Sequence, residues 1–230
     1  MAQEKSGEQA LAEFKQVLGK EFGQIFYLLH NELVWLFVKW QQFQNLYETS
    51  IERIDIMNKT APFVLRIIQI TLWESIVLNI ARLLDPPATS GKPNLSIKQL
   101  AQFIDDKSKL EKVNELIANA ETFVSFARDW RNRQIAHRDL DLALNTSIKS
   151  LPEVNKEDID NSLKAIKDVF NYFHHTYFNT TFYYDMGSYT GDAGNLLHYL
   201  QAGWTSEQKK FERMKNGNAT DEDYESPRAF

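Results

Sequence analysis

Apolar residues recur at intervals of three and four from Leu11 to Trp40, which is the spacing of one face of an α-helix. The run consists of Leu11, Phe14, Leu18, Phe22, Ile25, Leu29, Leu33, Leu36 and Trp40. Gly19 and Gly23 lie within it and favour a weakened or broken helix near its start. Because the chain has neither a strand–helix alternation nor an internal repeat, we predict an all-α bundle of about six or seven helices.

Capping and turn residues divide the rest of the chain into further helices. Proline and glycine are concentrated in residues 86–94, which we predict to form a loop, and a second loop is expected over 139–152. Ser96 and Asn155 carry side chains that cap helix N-termini. The predicted helices cover approximately residues 31–57, 63–84, 97–104, 108–135, 156–177 and 195–214.

The chain of 230 residues is long enough to bury a sizeable core. We expect a flexible N-terminus at residues 1–7, a single helical domain over 8–215 and a disordered acidic tail over 216–230. The absence of cysteine from the sequence excludes a disulfide scaffold, an iron–sulfur site, a thiolate zinc site and a thiol nucleophile. The first residues lack the pattern of a signal peptide, so we expect a cytoplasmic protein.

The predicted helix over 63–84 is apolar on most of its circumference. It contains too many polar residues for the centre of a bilayer, so we expect no membrane span. A helix of this kind belongs in the bundle centre or in a subunit interface. Its residues Thr71, Ser75, Asn79 and Arg82 fall within a sector of about 80°. They are either core polar groups satisfied by neighbours or one wall of a polar cleft.

The segment 127–139 has a marked concentration of positive charge. Residues 127–138 contain four arginines and one acidic residue, whereas the whole chain has a net charge of −5. An acidic chain can bind nucleic acid only through such a local patch. Arginines donate in pairs to phosphate oxygens, and Trp130 and His137 offer rings for stacking on bases. His137 is the side chain suited to exchange a proton near neutral pH.

The order of residues within this segment resembles the signature of a known superfamily. Residues 131–137 read Arg-Asn, four further residues and His, which resembles the motif of the HEPN superfamily (higher eukaryotes and prokaryotes nucleotide-binding). The sequences of residues 130–139 and 79–85 are similar to its abortive-infection, AbiU-like branch. Residues 191–197 share a weaker similarity with the C-terminal part of that branch.

The resemblance implies an α-helical, dimeric, metal-independent endoribonuclease that acts as a toxin or antiviral effector, with an antitoxin protein as a natural partner. In this interpretation His137 and Arg131 are catalytic, and Asn132 supports their geometry. Some members of the superfamily are inactive, so a helical module that binds nucleotide, RNA or protein without catalysis is the alternative. The side chains predicted to bind the phosphate backbone are Arg133, Arg128, Arg138 and, as a further contact, Arg82.

The chemistry itself favours a dimer. Cleavage without a metal or other cofactor uses the 2′-hydroxyl of RNA as nucleophile and needs a base, an acid and positive donors for the phosphorane-like charge. One copy of His137 offers one proton-transfer group. Two copies facing each other across a two-fold axis offer both, so we expect a homodimer with a shared cleft. The expected products are a 2′,3′-cyclic phosphate, or its hydrolysed form, and a 5′-hydroxyl.

The helical spacing of the motif leaves an open question. On an ideal helix Arg131 and His137 are about 120° apart, whereas Arg133 and His137 share a face. Either the helix bends or unwinds near His137, or Arg133 contributes more than the motif assigns. A solvated helix end in a purely structural interaction protein is a third interpretation of this segment.

The remaining histidines do not have the spacing of a metal site. His174 and His175 are adjacent and point about 100° apart on a helix, so they do not share one metal ion. His30 and His198 have no ligand-spaced partner in the sequence. We expect all four to be structural or surface residues.

Overall fold

The computed structural model describes residues 6–48, 50–144, 146, 150–187 and 190–224, and its regular structure is almost entirely helical, which confirms the all-α fold. The α-helices of these residues are α1 (Gly7–Leu18), α2 (Lys20–Tyr47), α3 (Ile51–Thr60), α4 (Pro62–Leu83), α5 (Lys107–Phe123), α6 (Ser125–Trp130), α7 (Leu140–Ala143), α8 (Lys156–Phe178) and α9 (Ala193–Lys215). The shorter elements are 3₁₀-helices at Ile97–Phe103 and Asp221–Tyr224, a π-helix at Arg131–Ile135, and a hairpin of β1 (Ala88–Thr89) and β2 (Lys92–Pro93).

The helices are more finely divided than the sequence pattern predicts. The long apolar runs are interrupted at Gly19, after Tyr47 and at Val124, so the described residues form nine α-helices where six or seven were expected. Two of them are short, since α6 has six residues and α7 has four. The caps predicted at Ser96 and Asn155 are confirmed, because each side chain accepts a backbone N–H of the helix that follows.

Two glycines determine how α1 meets α2. Gly19 ends α1 with a φ of +90°, and its N–H donates to the carbonyl of Lys15 at 3.1 Å. A Cβ on Gly23 would lie 2.5 Å from the carbonyl oxygen of Phe14, so only glycine allows the end of α1 to pack this closely on α2. The break predicted near these glycines is therefore confirmed.

The chain divides into two compact units. The first contains Met1–Trp40 and Leu72–Gly187, and the second contains Gln41–Thr71 and Ser188–Phe230. Helices α2 and α4 contribute to both units, because a boundary falls within each of them. The domain limits predicted at residues 8 and 215 stay predictions.

The predicted flexible N-terminus and acidic tail are described only in part, because residues 1–5 and 225–230 lie outside the described residues. Ser6 and Gln9 form a capping box at the start of α1, each side chain accepting the backbone N–H of the other. Within the tail, Asp223 is 4% exposed and accepts a hydrogen bond from Nε of Arg213 at 3.0 Å.

The core of the first unit is built from apolar faces of α2, α4, α5 and α8. The fully buried large side chains are Phe26, Leu29, Leu33, Leu36, Ile76, Ile80, Leu84, Ile97, Leu100, Ile159, Phe170 and Phe173. At its edge, the indole N–H of Trp40 donates to the carboxylate of Asp160 at 2.6 Å and ties α2 to α8. This core contains the second half of α4, and Arg128 of α6 donates to the carbonyl of Leu84 just after the end of α4.

The second unit packs α3 against α9. Its buried cluster consists of Leu46, Ile56, Met57, Leu65, Ala193 and Leu197. The side chain of Gln42 accepts the N–H of Ala193 at 2.8 Å, and the hydroxyl of Tyr47 donates to the carbonyl of Leu65 at 2.8 Å. These bonds fix the ends of α2, α4 and α9 around the cluster.

Helix α4 changes its environment along its length. In its second half, Ile76, Val77, Ile80 and Ala81 are fully buried, as expected for a bundle centre. In its first half, five large apolar side chains are exposed: Phe63, Val64, Ile67, Ile68 and Ile70. By length and composition alone, α4 is the one helix among the described residues that could cross a membrane. Its second half nevertheless contributes these four buried side chains to the core of the first unit.

Candidate functional site

The arginine-rich segment departs from α-helical geometry at its centre. Helix α6 ends at Trp130, and Arg131–Ile135 continue as a π-helix. The N–H of Ala136 donates to the carbonyl of Arg131 at 2.8 Å, five residues back, and the backbone then bends at Ala136 and His137. Isolated π-helical turns are frequent at functional sites. The helix therefore unwinds before His137, and the angle of an ideal helix does not apply to Arg131 and His137.

The guanidinium of Arg131 is held on two sides. Its Nη1 forms an ion pair with the carboxylate of Asp85, and its Nε donates to the side-chain oxygen of Asn132 at 3.1 Å. The Arg131 side chain remains 25% exposed and that of Asp85 21%. Arg131 is thus oriented by neighbours at the surface of the first unit.

Arg128 lies one helical turn before Arg131 and meets the same end of α4. Its Nη2 donates to the carbonyl of Leu84 at 2.8 Å and to the carboxylate of Glu121 at 3.0 Å. Glu121 also accepts from Nζ of Lys98 at 2.5 Å, and this bond, with that from Arg128, lowers the pKa of Glu121. These contacts make Arg128 part of the packing between α4, α5 and α6.

Arg133 is turned toward the segment that follows the π-helix. Its Nε donates to one oxygen of Asp139 at 3.4 Å, while the other oxygen accepts the N–H of Leu142 at 3.1 Å. The bond from Leu142, with that from Arg133, lowers the pKa of Asp139. Asp139 is the N-cap of α7, so the loop predicted over 139–152 is wrong at Leu140–Ala143, where a local cap stabilises one helical turn.

The other predicted site residues lie in more open positions. His137, Arg138 and Asn132 are exposed, and His137 has no hydrogen-bond partner among the described residues. Arg82 is also exposed, and its Nη1 donates to Asn79 on the same helix at 3.5 Å. The structure therefore brings Arg131 and Asn132 together and leaves the imidazole of His137 open to solvent.

Two residues of the polar sector of α4, Ser75 and Asn79, have hydrogen-bond partners. Ser75 accepts a hydrogen bond from Nζ of Lys39 at 3.0 Å, and the buried Asn79 accepts from Arg82. These contacts agree with the interpretation of Ser75 and Asn79 as polar groups satisfied by neighbours, whereas Arg82 is exposed.

A comparison with protein families decides the assignment of the chain. The family model AbiU2, of the HEPN superfamily, matches residues 19–196. The chain belongs to the AbiU2 family. The match includes residues 131–137, and it confirms the resemblance to the abortive-infection branch. No curated protein and no solved structure matches the chain. The AbiU2 protein is thus an abortive-infection HEPN module.

Two acidic partners of the arginines in residues 127–139 were not predicted from the sequence. Asp85 is 46 positions from Arg131 in the sequence, and Glu121 is seven from Arg128. A signal for Asp85 existed, because it ends the run of residues 79–85 that resembles the family. No comparable signal marked Glu121.

The buried histidines of the AbiU2 protein lie elsewhere. His30 and His174 are 8% and 3% exposed and share the hydroxyl of Tyr184. Burial lowers the pKa of His30 to about 3 and that of His174 to about 4, so both rings are neutral at pH 7. The described residues contain no group of His, Cys, Asp and Glu that could hold a metal ion.

Proposed function

We propose that this AbiU2 protein is a metal-independent endoribonuclease of phage defence or of a toxin–antitoxin pair, with a composite site at the interface of a homodimer. The observation that supports it is the arrangement of Arg131. Its guanidinium is oriented by Asp85 and Asn132, and the π-helix that begins at Arg131 ends at Ile135, two residues before the exposed His137. A positioned arginine and an exposed imidazole within one short segment are the two kinds of group that cleavage through the 2′-hydroxyl needs.

The proposed reaction needs two proton transfers. One imidazole takes the proton of the 2′-hydroxyl as the 2′-oxygen bonds to phosphorus, and a second imidazole gives a proton to the 5′-oxygen as its bond to phosphorus breaks. Arg131 binds the scissile phosphate and stabilises the charge that develops on it. The products are a 2′,3′-cyclic phosphate and a 5′-hydroxyl.

The second imidazole comes from a second copy of the chain. Each chain has one His137, and the described residues place no other histidine beside Arg131. A two-fold axis near the bend at Ala136 and His137 would face the two motifs toward each other. The dimer is therefore part of the proposed function. We propose RNA as the substrate, an antitoxin as a further partner and the cytoplasm as the location of the protein.

The contacts divide the four arginines predicted to bind the phosphate backbone of RNA into two groups. Arg138 and Arg82 are exposed and are the side chains we assign to the phosphate backbone outside the scissile position. Arg133 is paired with Asp139, and Arg128 with Leu84 and Glu121, so their bonds to the protein compete with RNA. We accordingly assign them a weaker part in RNA binding.

A non-catalytic module is the second candidate, and one observation favours it. His137 has no hydrogen-bond partner among the described residues, so nothing within one chain selects its tautomer or orientation. A protein of this kind would bind RNA through the same residues and release it uncut.

The test is cleavage of end-labelled total RNA in the presence of EDTA. We expect the wild-type protein to produce cyclic-phosphate and 5′-hydroxyl ends, and His137→Ala to lose cleavage while the mass of the dimer, measured by light scattering, is unchanged. His198→Ala is the matched control, because His198 is exposed and lies in the second unit. Full activity of His137→Ala contradicts the proposal, and RNA binding without cleavage by the wild type supports the non-catalytic module.

A further inference from the structure

We infer that Asp85 is a positioning residue for Arg131, an inference that rests on the proposed function. Its carboxylate binds Nη1 of Arg131, and Asn132 binds Nε. The third nitrogen, Nη2, has no partner among the described residues. Asp85 and Asn132 thus occupy two of the three guanidinium nitrogens and leave the third for a phosphate oxygen.

The backbone of Asp85 is itself fixed. Its carbonyl accepts a hydrogen bond from the hydroxyl of Ser96 at 2.6 Å, and its N–H donates to the carbonyl of Arg82 at 3.1 Å. Ser96 is fully buried and also caps the 3₁₀-helix that follows it. The carboxylate therefore projects from a rigid point at the end of α4.

The loop after Asp85 adds to this rigidity. The side chain of Asn94 donates to the carbonyl of Pro86 at 2.8 Å, and that of Gln99 donates to the carbonyl of Pro87 at 2.8 Å. Ser90 and Gly91 both have positive φ, as the two-residue turn between β1 and β2 requires. Residues 86–94, which the sequence predicts to form a loop, are therefore held by hydrogen bonds between the residues before and after the hairpin.

The end of α4 holds two arginines of the motif segment at once. Arg128 binds the carbonyl of Leu84, and Arg131 binds the side chain of the next residue, Asp85. Carbonyls at a helix C-terminus carry partial negative charge and attract cations. Arg128 thus ties α6 to the residue that precedes Asp85.

A positioning role predicts a specific pattern of kinetic effects. Asp85→Ala removes the acceptor for Nη1, so the guanidinium loses its fixed direction and kcat falls by about 10- to 100-fold, as for other residues that orient a catalytic group. Asp85→Asn keeps an oxygen at the same place and is expected to restore most of kcat. The KM for RNA changes less in both variants, because Asp85 does not itself bind RNA.

The experiment measures kcat and KM for RNA cleavage in EDTA with Asp85→Ala, Asp85→Asn, Arg131→Ala and the Asp85→Ala/Arg131→Ala double variant. If Asp85 acts through Arg131, the double variant is no slower than Arg131→Ala alone. Asp223→Asn is the matched control, since the buried Asp223 holds Arg213 by a similar ion pair and neither residue is assigned to the site. We expect it to lower the melting temperature without the same loss of kcat.

Three outcomes overturn the inference. They are a wild-type kcat in folded Asp85→Ala, an Asp85→Asn variant as slow as Arg131→Ala, and losses that add in the double variant. If Asp85→Ala does not fold, the comparison of Asp85→Asn with Arg131→Ala still decides. A wild-type protein that leaves RNA uncut removes the proposed function and this inference together, whereas an active wild type with an active Asp85→Ala removes the inference alone.

Discussion

Nδ1 of His30 lies 2.8 Å from the hydroxyl oxygen of Tyr184, a contact between α2 and the segment that follows α8. Nε2 of His174 lies 3.5 Å from the same hydroxyl. The ring of Phe182 closes the group, with its centroid 4.5 Å from that of His30. Burial, with a smaller contribution from a neighbouring histidine in each case, lowers the pKa of both histidines below the ordinary value of 6.5, to about 3 and about 4.

This buried pair predicts that the protein loses stability in mild acid. In the unfolded chain the two histidines take up protons as the pH falls through 6.5, whereas in the folded protein they stay neutral until about pH 4. The unfolded state then binds more protons, so the free energy of unfolding falls as the pH is lowered through this window. Above this pH window, the contribution of the two neutral histidines to the free energy of unfolding is fully present. Urea unfolding at a series of pH values between about 7 and 5 measures the effect.

Two variants test the source of that pH dependence. His174→Phe removes one titrating ring from an aromatic cluster and is expected to make the decline shallower. His198→Gln changes an exposed histidine and is expected to leave the pH dependence of the free energy of unfolding unchanged. A free energy of unfolding that is constant over the same range contradicts the prediction.

Gly23→Ala is expected to destabilise the protein by about 1–3 kcal/mol, the usual cost of overpacking. The new Cβ would lie 2.5 Å from the carbonyl oxygen of Phe14 and 2.6 Å from the backbone of Lys15, and backbone atoms cannot move aside cheaply. Gly203→Ala in α9 is the control, because nothing lies within 4 Å of its Cβ position, and we expect it to raise stability by about 0.5–1 kcal/mol. Thermal unfolding of both variants checks the prediction, and equal effects would contradict it.

Substitutions of Arg131 and of Arg133 by alanine are expected to differ in their effects on kcat and on the melting temperature. Arg131→Ala removes the proposed donor to the scissile phosphate and should lower kcat by about 100- to 1,000-fold, as for loss of a single transition-state donor. Arg133→Ala removes one of the hydrogen bonds of Asp139, so we expect a lower melting temperature and a smaller loss of kcat. Single-turnover cleavage and thermal unfolding measure the two effects. The reverse order of kcat losses would assign the catalytic arginine to position 133.

Local signals predicted the helices well, and long-range packing set their limits. The caps at Ser96 and Asn155 and the break at Gly19 depend on hydrogen bonds and dihedral angles within a few residues, so they could be predicted from the sequence. The division of the chain into two units could not be predicted. It depends on which apolar faces meet, and the apolar first half of α4 carries no signal that separates it from the buried second half.

The sequence by itself determined the helical class and the resemblance to the family, and it predicted Arg131, Asn132 and His137 as site residues, because these follow from residue types at short spacings. Only the tertiary structure decided that Arg131 pairs with Asp85, that the helix becomes a π-helix at this point and that His30 meets Tyr184. The physical reason is that a side-chain contact between distant positions forms only after the core has aligned the helices that carry them. The linear order of residues does not contain that alignment in any local pattern.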